Sequence, residues 1–148
     1  MTDDGWTYRI LVTGSRDWTE ETTIEHAIKT ELAVAAALDP PPSRVVLIHG
    51  AGQGRNRAPG ADTIADRIAA RWQISREAYP ANWKRYGRGA GPRRNQGMVD
   101  LGAQVCLAFP LGESTGTRGT MHKAERAGIP VVAYGPGCTL LRDDRSTA

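Results

Sequence analysis

Apolar residues recur along the chain with two alternating periods. Tyr8-Arg9-Ile10-Leu11-Val12-Thr13 is rich in β-branched and aromatic side chains and stops at Gly14, which predicts a strand. Over 20–38 the apolar positions Ile24, Ala27, Ile28, Leu32, Ala35 and Ala36 fall at helical spacing, and Pro40-Pro41-Pro42 ends the segment. Residues 44–49 hold the continuous run Val45-Val46-Leu47-Ile48, which suits a strand covered on both faces. A helix is predicted over 61–72, where Ile64, Ala65, Ile68, Ala69 and Trp72 share one face, and a short strand over 74–79. Residues 81–91 are polar, basic and glycine-rich and read as loop. Pro92 suits the first turn of a helix reaching about Leu101, with Met98, Val99 and Leu101 buried and Gly102 as its stop. A fourth strand over 104–109, a helix over 117–127 capped by Gly128 and a fifth strand over 129–134 complete the pattern.

This alternation predicts a Rossmann-like α/β fold, a doubly wound sheet of about five mainly parallel strands flanked by helices. The chain has 148 residues, 40% of them apolar and 24% charged, which is one domain over 1–148 with a core at 8–135. The polar, aperiodic ends at 1–7 and 141–148 are expected to be flexible. No apolar run is long enough to span a bilayer, and Thr2-Asp3-Asp4 does not resemble a signal peptide, so no membrane partner and a cytoplasmic location are expected. Two cysteines are too few for a disulfide framework; Cys106, inside a strand, reads as a small buried hydrophobe, and Cys138 lies in a Gly/Pro-rich turn. His26 and His122 lack partners at metal-ligand spacing, so no metal site is expected. The net charge of +3 is modest, but Lys84, Arg85, Arg88, Arg93 and Arg94 cluster in one segment, which suggests an anionic ligand or a solvated loop.

In such a sheet ligands bind beyond the carboxyl ends of the strands, and four loops there carry the chemistry. Ser114-Thr115-Gly116-Thr117-Arg118-Gly119-Thr120 leads from a strand into a helix, as a phosphate cradle does: glycines let the backbone approach, and the orphan N–H groups and dipole of the helix favour an anion. The same stretch also reads as an ordinary Ser/Thr-capped helix start. After the first strand, Gly14 and Ser15 can face phosphate, Arg16 can clamp it and Trp18 can stack on a base; Asp17 or Thr19 could equally cap the helix and Trp18 cover the core. His49-Gly50-Ala51-Gly52-Gln53-Gly54 allows close backbone approach, and Asp62 is either an acceptor for ribose hydroxyls or a helix-start carboxylate. Finally, Arg93, Arg94 and Asn95 project from a helix start, where arginine suits bidentate phosphate binding.

Together, Gly14-Ser15-Arg16-Asp17-Trp18, His49-Gly50 with Gly60-Ala61-Asp62, Gly91-Pro92-Arg93-Arg94-Asn95-Gln96-Gly97-Met98 and Gly116-Thr117-Arg118-Gly119-Thr120 resemble the YspA-type, YpsA-related branch of the SLOG superfamily, common in actinobacteria and their phages. The resemblance runs from about Arg9 to Tyr134. It implies a Rossmann-like domain, self-associating into a dimer or larger homo-oligomer, that binds a nucleotide or nucleotide-derived ligand and requires no cofactor. Relatives of that superfamily include the Lonely-Guy phosphoribohydrolases and the DNA-binding DprA proteins, so nucleotide N-glycoside hydrolysis and nucleic-acid binding are the alternatives.

The Lonely-Guy enzymes carry Gly-Gly-x-Gly-Thr-x-x-Glu. Aligned on Gly116-Thr117, the glutamate position here is Thr120; aligned on Gly119-Thr120, it is Lys123. Glu125 is displaced along the helix and so turned to another face. The arginine of that family's Arg-Lys-x-x-Met motif does have a counterpart in Arg94, followed by Asn95 and Met98. The resemblance therefore implies a kept phosphate-binding half and a missing hydrolytic half: a protein that holds a nucleotide rather than cuts it. Residues 53–59 look inserted, as a lid or an oligomer contact.

Overall fold

The computed structural model describes residues 5–146. Six strands form one sheet: β1 (Thr7–Gly14), β2 (Arg44–His49), β3 (Ser75–Ala78), β4 (Val105–Phe109), β5 (Val131–Gly135) and β6 (Thr139–Asp143). Their order is β3-β2-β1-β4-β5-β6, with every pair parallel except β5 and β6. The helices are α1 (Glu21–Ala36), α2 (Ala61–Arg71), the single turn α3 (Trp83–Tyr86), α4 (Ala90–Asp100) and α5 (Thr115–Arg126). No helix among the described residues is long and apolar enough to cross a membrane.

The period-two alternation of the strands sorts the apolar side chains onto two faces. Ile10, Val12, Leu107 and Phe109 join Ile24 and Ile28 of α1 and Ile64 and Ile68 of α2 on one side. Leu11, Ile48, Cys106 and Ala108 meet Met98 and Val99 of α4 and Met121 and Ala124 of α5 on the other. Both faces of the parallel strands are thus covered, which is why these strands read as unbroken apolar runs. The predicted doubly wound α/β single domain is what the structure has, with a sixth, antiparallel strand added. Burial pushes the Cys106 thiol up to about 12, the state of an inert core thiol.

The tail corrects an expectation. Of the segments read as flexible, 1–4 and 147–148 lie outside the described residues, but 7 opens β1 and 141–143 belong to β6. Arg145 then reaches into the domain, its Nη1 and Nη2 donating to the two carboxylate oxygens of Glu31 at 2.9 and 2.7 Å. Glu31, only 1% exposed, also accepts from the Tyr8 hydroxyl at 2.9 Å. Buried charge has to be paired and hydrogen-bonded, and this pair ties the tail to the middle of α1. At the front end, Trp6 Nε1 donates to the Pro40 carbonyl at 3.0 Å.

Candidate functional site

Strand order reverses between β1 and β4, because β2 and β3 are laid down on one side of β1 and β4 and β5 on the other. The crevice at that switch point lies at the carboxyl ends of both strands. Two loops enter it, the β1–α1 turn and the β4–α5 loop. Ser15 N–H donates to the Phe109 carbonyl at 2.9 Å, locking the ends of the two strands together. Gly14 is required by packing: a Cβ there would sit 2.4 Å from the Ala61 Cβ, where α2 begins against the end of β1.

The cleft that results has a volume of about 390 Å³, within the roughly 300–1,000 Å³ common for small-molecule sites. Gly14, Ser15 and Arg16 form one wall and Ser114, Gly116 and Thr117 the opposite one. Gly50, Asp62, Arg94 and Asn95 close the remaining side, with Arg55 and Glu113 also lining it. The sequence motifs at these four places therefore converge on one volume. Arg55 and Glu113 had no distinguishing signal in the sequence beyond their charge.

The wall at α5 is built by a backbone that is costly to form. Ser114, the residue before the helix, has φ 40° and ψ 57°, a left-handed conformation that non-glycine residues seldom take and that concentrates at binding sites. Its hydroxyl turns to Thr117 Oγ1 at 2.9 Å instead of capping the helix backbone. As at any α-helix start, the first-turn N–H groups of Thr115, Gly116 and Thr117 have no intrahelical acceptor, and here the Ser114 side chain does not cap them; the positive end of the helix dipole points with them. Helix α5 starts two residues earlier than the residue pattern predicts. That start divides the predicted motif: Gly116 and Thr117 line the cleft, whereas Arg118 donates to the Glu113 and Gly112 carbonyls, both at 2.9 Å, and braces the loop from behind. Thr120 is buried, its hydroxyl donating to the Gly116 carbonyl at 3.1 Å, and Gly119 lies beyond the cleft lining.

Arg94 is the fixed cation. Its Nη1 donates to the Gly50 carbonyl and to the Tyr79 carbonyl, the latter at 3.2 Å, and its Nε to Asn95 Oδ1 at 2.7 Å. Gly50 makes room for it, since a Cβ at that position would fall 2.6 Å from the guanidinium carbon. Burial pulls the guanidinium below its ordinary value, and the nearby Asp62 carboxylate opposes that shift. Of the other members of the basic cluster, Arg85 and Arg93 lie over the Tyr86 ring at 5.1 and 4.3 Å and do not line the cleft.

Asp62, in the first turn of α2, accepts from the Gly52 N–H through Oδ2 at 2.9 Å. Its Oδ1 is sealed from solvent with no partner, the single such side-chain atom among the described residues. Burial raises its carboxyl above the ordinary value, against the opposing pull of the Gly52 and Gly50 N–H groups, His49 and Arg94. His49 is buried beneath this loop rather than facing the cleft. Its Nδ1 accepts from the Ala51 N–H at 3.0 Å and its Nε2 lies 2.8 Å from Asp66 Oδ1, which places the ring proton on Nε2. Ala51, held at φ 54° by that contact, lies outside the main cleft lining.

The structure also decides two open readings on the β1–α1 turn. Trp18, for which base stacking and core cover were both open, takes the second role: it is 1% exposed, packs edge-on against Phe109 with centroids 5.5 Å apart, and donates from Nε1 to the Glu20 carbonyl at 2.6 Å. Asp17 neither faces the cleft nor caps α1, which begins after Glu20 without a side-chain cap. The Arg55 guanidinium holds the Asp17 carboxyl below its ordinary value, with Nη2 at 2.9 Å and Nε at 3.2 Å, and Asn56 Nδ2 adds a bond at 3.0 Å. Arg16 Nε reaches across to the Gln53 carbonyl at 2.7 Å, and Arg55 N–H donates to the Arg16 carbonyl at 3.0 Å. The 53–59 segment is therefore a flap pinned to the β1–α1 turn, and through Arg55 it walls the cleft.

The model of the YspA, cpYpsA-related SLOG family, abbreviated YAcAr, matches residues 8–86, which run from β1 through α3 and include Asp62 but stop short of Arg94. The chain is 43% identical over 132 residues to the Gene 61 protein of Mycobacterium phage D29, an alignment that covers 86% of this chain and 96% of that protein. No solved structure matches the chain. On the strength of the family model and of that relative, the chain belongs to the YspA, cpYpsA-related SLOG family.

Proposed function

We propose that the protein binds a nucleotide or a nucleotide-derived ligand of the NAD, ADP-ribose or cyclic-nucleotide type, with its phosphate between the β1–α1 turn and the first turn of α5. The observation that carries this reading is the convergence of unpaired first-turn N–H groups, the Gly14-Ser15-Arg16 turn and the fixed Arg94 guanidinium on one cleft. Each favours a compact anion, and guanidinium bonds to phosphate are stronger than neutral ones. Asp62, which lines the same cleft, is the acceptor this reading assigns to a ribose hydroxyl. Isothermal titration with AMP, cyclic AMP, ADP-ribose and NAD tests the reading. At least one of them should bind, and Arg94→Ala and the exposed Arg16→Ala should each weaken it by about tenfold or more, the worth of a charge-assisted hydrogen bond. Absence of binding by the wild type at millimolar ligand, or binding that both variants leave unchanged, overturns it.

Asp62 supports a second reading, a nucleotide N-glycoside hydrolase. A desolvated carboxyl with a spare oxygen is the kind of group that acts as an acid or base at an N-glycosidic bond. The other acidic candidates stand elsewhere, Asp17 in the β1–α1 turn and paired with Arg55 of the flap at 2.9 Å, and Glu125 exposed and paired with Arg142 at 3.2 Å. Release of free base from nucleoside monophosphates or NAD, abolished by Asp62→Asn, would establish this reading in place of simple binding.

A further inference from the structure

The segment after β3 carries Trp83, whose indole belongs to neither core and is 58% exposed. It stands on α3, a single turn held by the Asn82 side chain, which accepts from the Arg85 N–H at 3.1 Å. A Cβ on Gly91 would lie 3.4 Å from the Trp83 Cη2, an ordinary contact distance, so the indole edge lies against the start of α4. The indole also lines a second cleft of about 340 Å³. That cleft shares Arg16, Gly50, Gly52 and Arg94 with the main one, so the two adjoin, with Arg16 and Arg94 lining both.

We propose that Trp83 is the stacking platform for the base of the bound nucleotide, with the second cleft as the base subsite and the main cleft as the phosphate subsite. The inference rests on the nucleotide-binding reading and narrows it: the ligand class is a nucleoside phosphate carrying an aromatic heterocycle, not a sugar phosphate alone. An open indole beside a phosphate site suits a flat heterocycle, because every base presents a π-face whatever its edge pattern. Arg16, exposed and lining both clefts, can cover the opposite face of the base or pair with the phosphate. With Trp18 sealed in the core, Trp83 is the tryptophan that lines the second cleft.

The test compares wild type, Trp83→Ala and Trp83→Phe for binding of AMP, ADP-ribose and ribose 5-phosphate by isothermal titration. Exposure of the side chain makes loss of folding on substitution unexpected, and circular dichroism with light scattering checks this directly. Wild type should prefer AMP to ribose 5-phosphate; Trp83→Ala should weaken AMP roughly 5- to 150-fold, the range for losing one base–aromatic stack, and leave ribose 5-phosphate unchanged. Trp83→Phe should recover much of the loss. Equal AMP affinity in wild type and Trp83→Ala overturns the base subsite while leaving the phosphate site standing, as does a parallel loss for ribose 5-phosphate. So does a change in oligomeric mass alone, which would make the indole a contact between copies of the chain. Failure of the wild type to bind AMP or ADP-ribose overturns this inference, and failure with cyclic AMP and NAD as well removes the nucleotide-binding reading itself.

Discussion

Replacing Asp62 by asparagine should make the unliganded protein more stable at neutral pH while weakening its ligand site. Asp62 Oδ1 is buried with no partner, and its carboxyl is raised by burial despite the Gly52 and Gly50 N–H groups, His49 and Arg94. A buried polar atom left unsatisfied costs roughly 1–3 kcal/mol. Asparagine keeps a carbonyl for the Gly52 N–H and removes the charge, although its amide N–H₂ then sits where Oδ1 was, so a net gain of about 1 kcal/mol is the reasonable expectation. In a domain of this size that is a rise in Tm of about 2–4 °C. The pH dependence follows from the direction of the shift. A carboxyl raised above its unfolded value of 3.8 contributes its stability below that value and loses it as pH rises through the folded value. Wild type should therefore match the variant most nearly in acid and fall behind it on the way to neutrality. Urea denaturation of both proteins at pH 5 and pH 8 measures the gap. A less stable variant at pH 8, or a gap that does not widen from acid to neutral pH, refutes the claim that this carboxylate is held against its preference.

Three further outcomes follow from the packing. Arg145→Met should cost about 2–4 kcal/mol in urea denaturation, because it strands the Glu31 carboxylate, somewhat less than for a fully buried pair since Arg145 keeps 29% of its side chain in solvent; a loss under about 0.5 kcal/mol contradicts the tail clamp. Gly14→Ala should destabilise by about 1–3 kcal/mol through the clash with Ala61 Cβ, and Ala61→Gly in the same chain should recover part of it, the coupling read from a double-mutant cycle. In the native protein a thiol reagent should titrate Cys138 and spare Cys106, whose burial pushes it up to about 12; rapid modification of both would show that the β4 core opens.

The residue pattern made the sheet and its principal helices legible because both faces of the parallel strands are covered, so apolar runs such as Val45-Val46-Leu47-Ile48 stand out. Strand β6 gave no such signal. Thr139, Leu140 and Leu141 are exposed, and the strand is held by backbone pairing to β5 and by the distant Glu31–Arg145 pair. A four-residue helix such as α3 is too short for periodicity to register. Trp18 was ambiguous for another reason: which way a side chain points after a strand ends depends on the turn, and here Trp18 N–H bonds back to the Ser15 carbonyl at 3.3 Å, swinging the indole into the core. The motif loops themselves were legible as a set, since glycines and cations at four strand ends have few other joint explanations. Which members reach the cleft was not, because that depends on the left-handed Ser114 and on where α5 begins.

The start of α5 also bears on whether this cleft could support hydrolysis. The two registers in which a hydrolytic glutamate could be sought place Thr120 or Lys123 at that position. Thr120 is fully buried, its hydroxyl donating to the Gly116 carbonyl, so a side chain there points into the domain and not into the cleft. Lys123 stands one turn after Gly119 and brings a cation in place of an acid. The carboxylates that do line the cleft, Asp62 and Glu113, come from the first turn of α2 and from the loop before α5. Any hydrolysis in this cleft would have to draw its acid or base from those walls, with Asp62, desolvated and with one oxygen free, the better placed of the two. Loss of base release in Asp62→Asn with AMP affinity retained would locate the chemistry at α2; loss of AMP affinity without turnover in either protein would leave Asp62 as a ribose contact in a binding site.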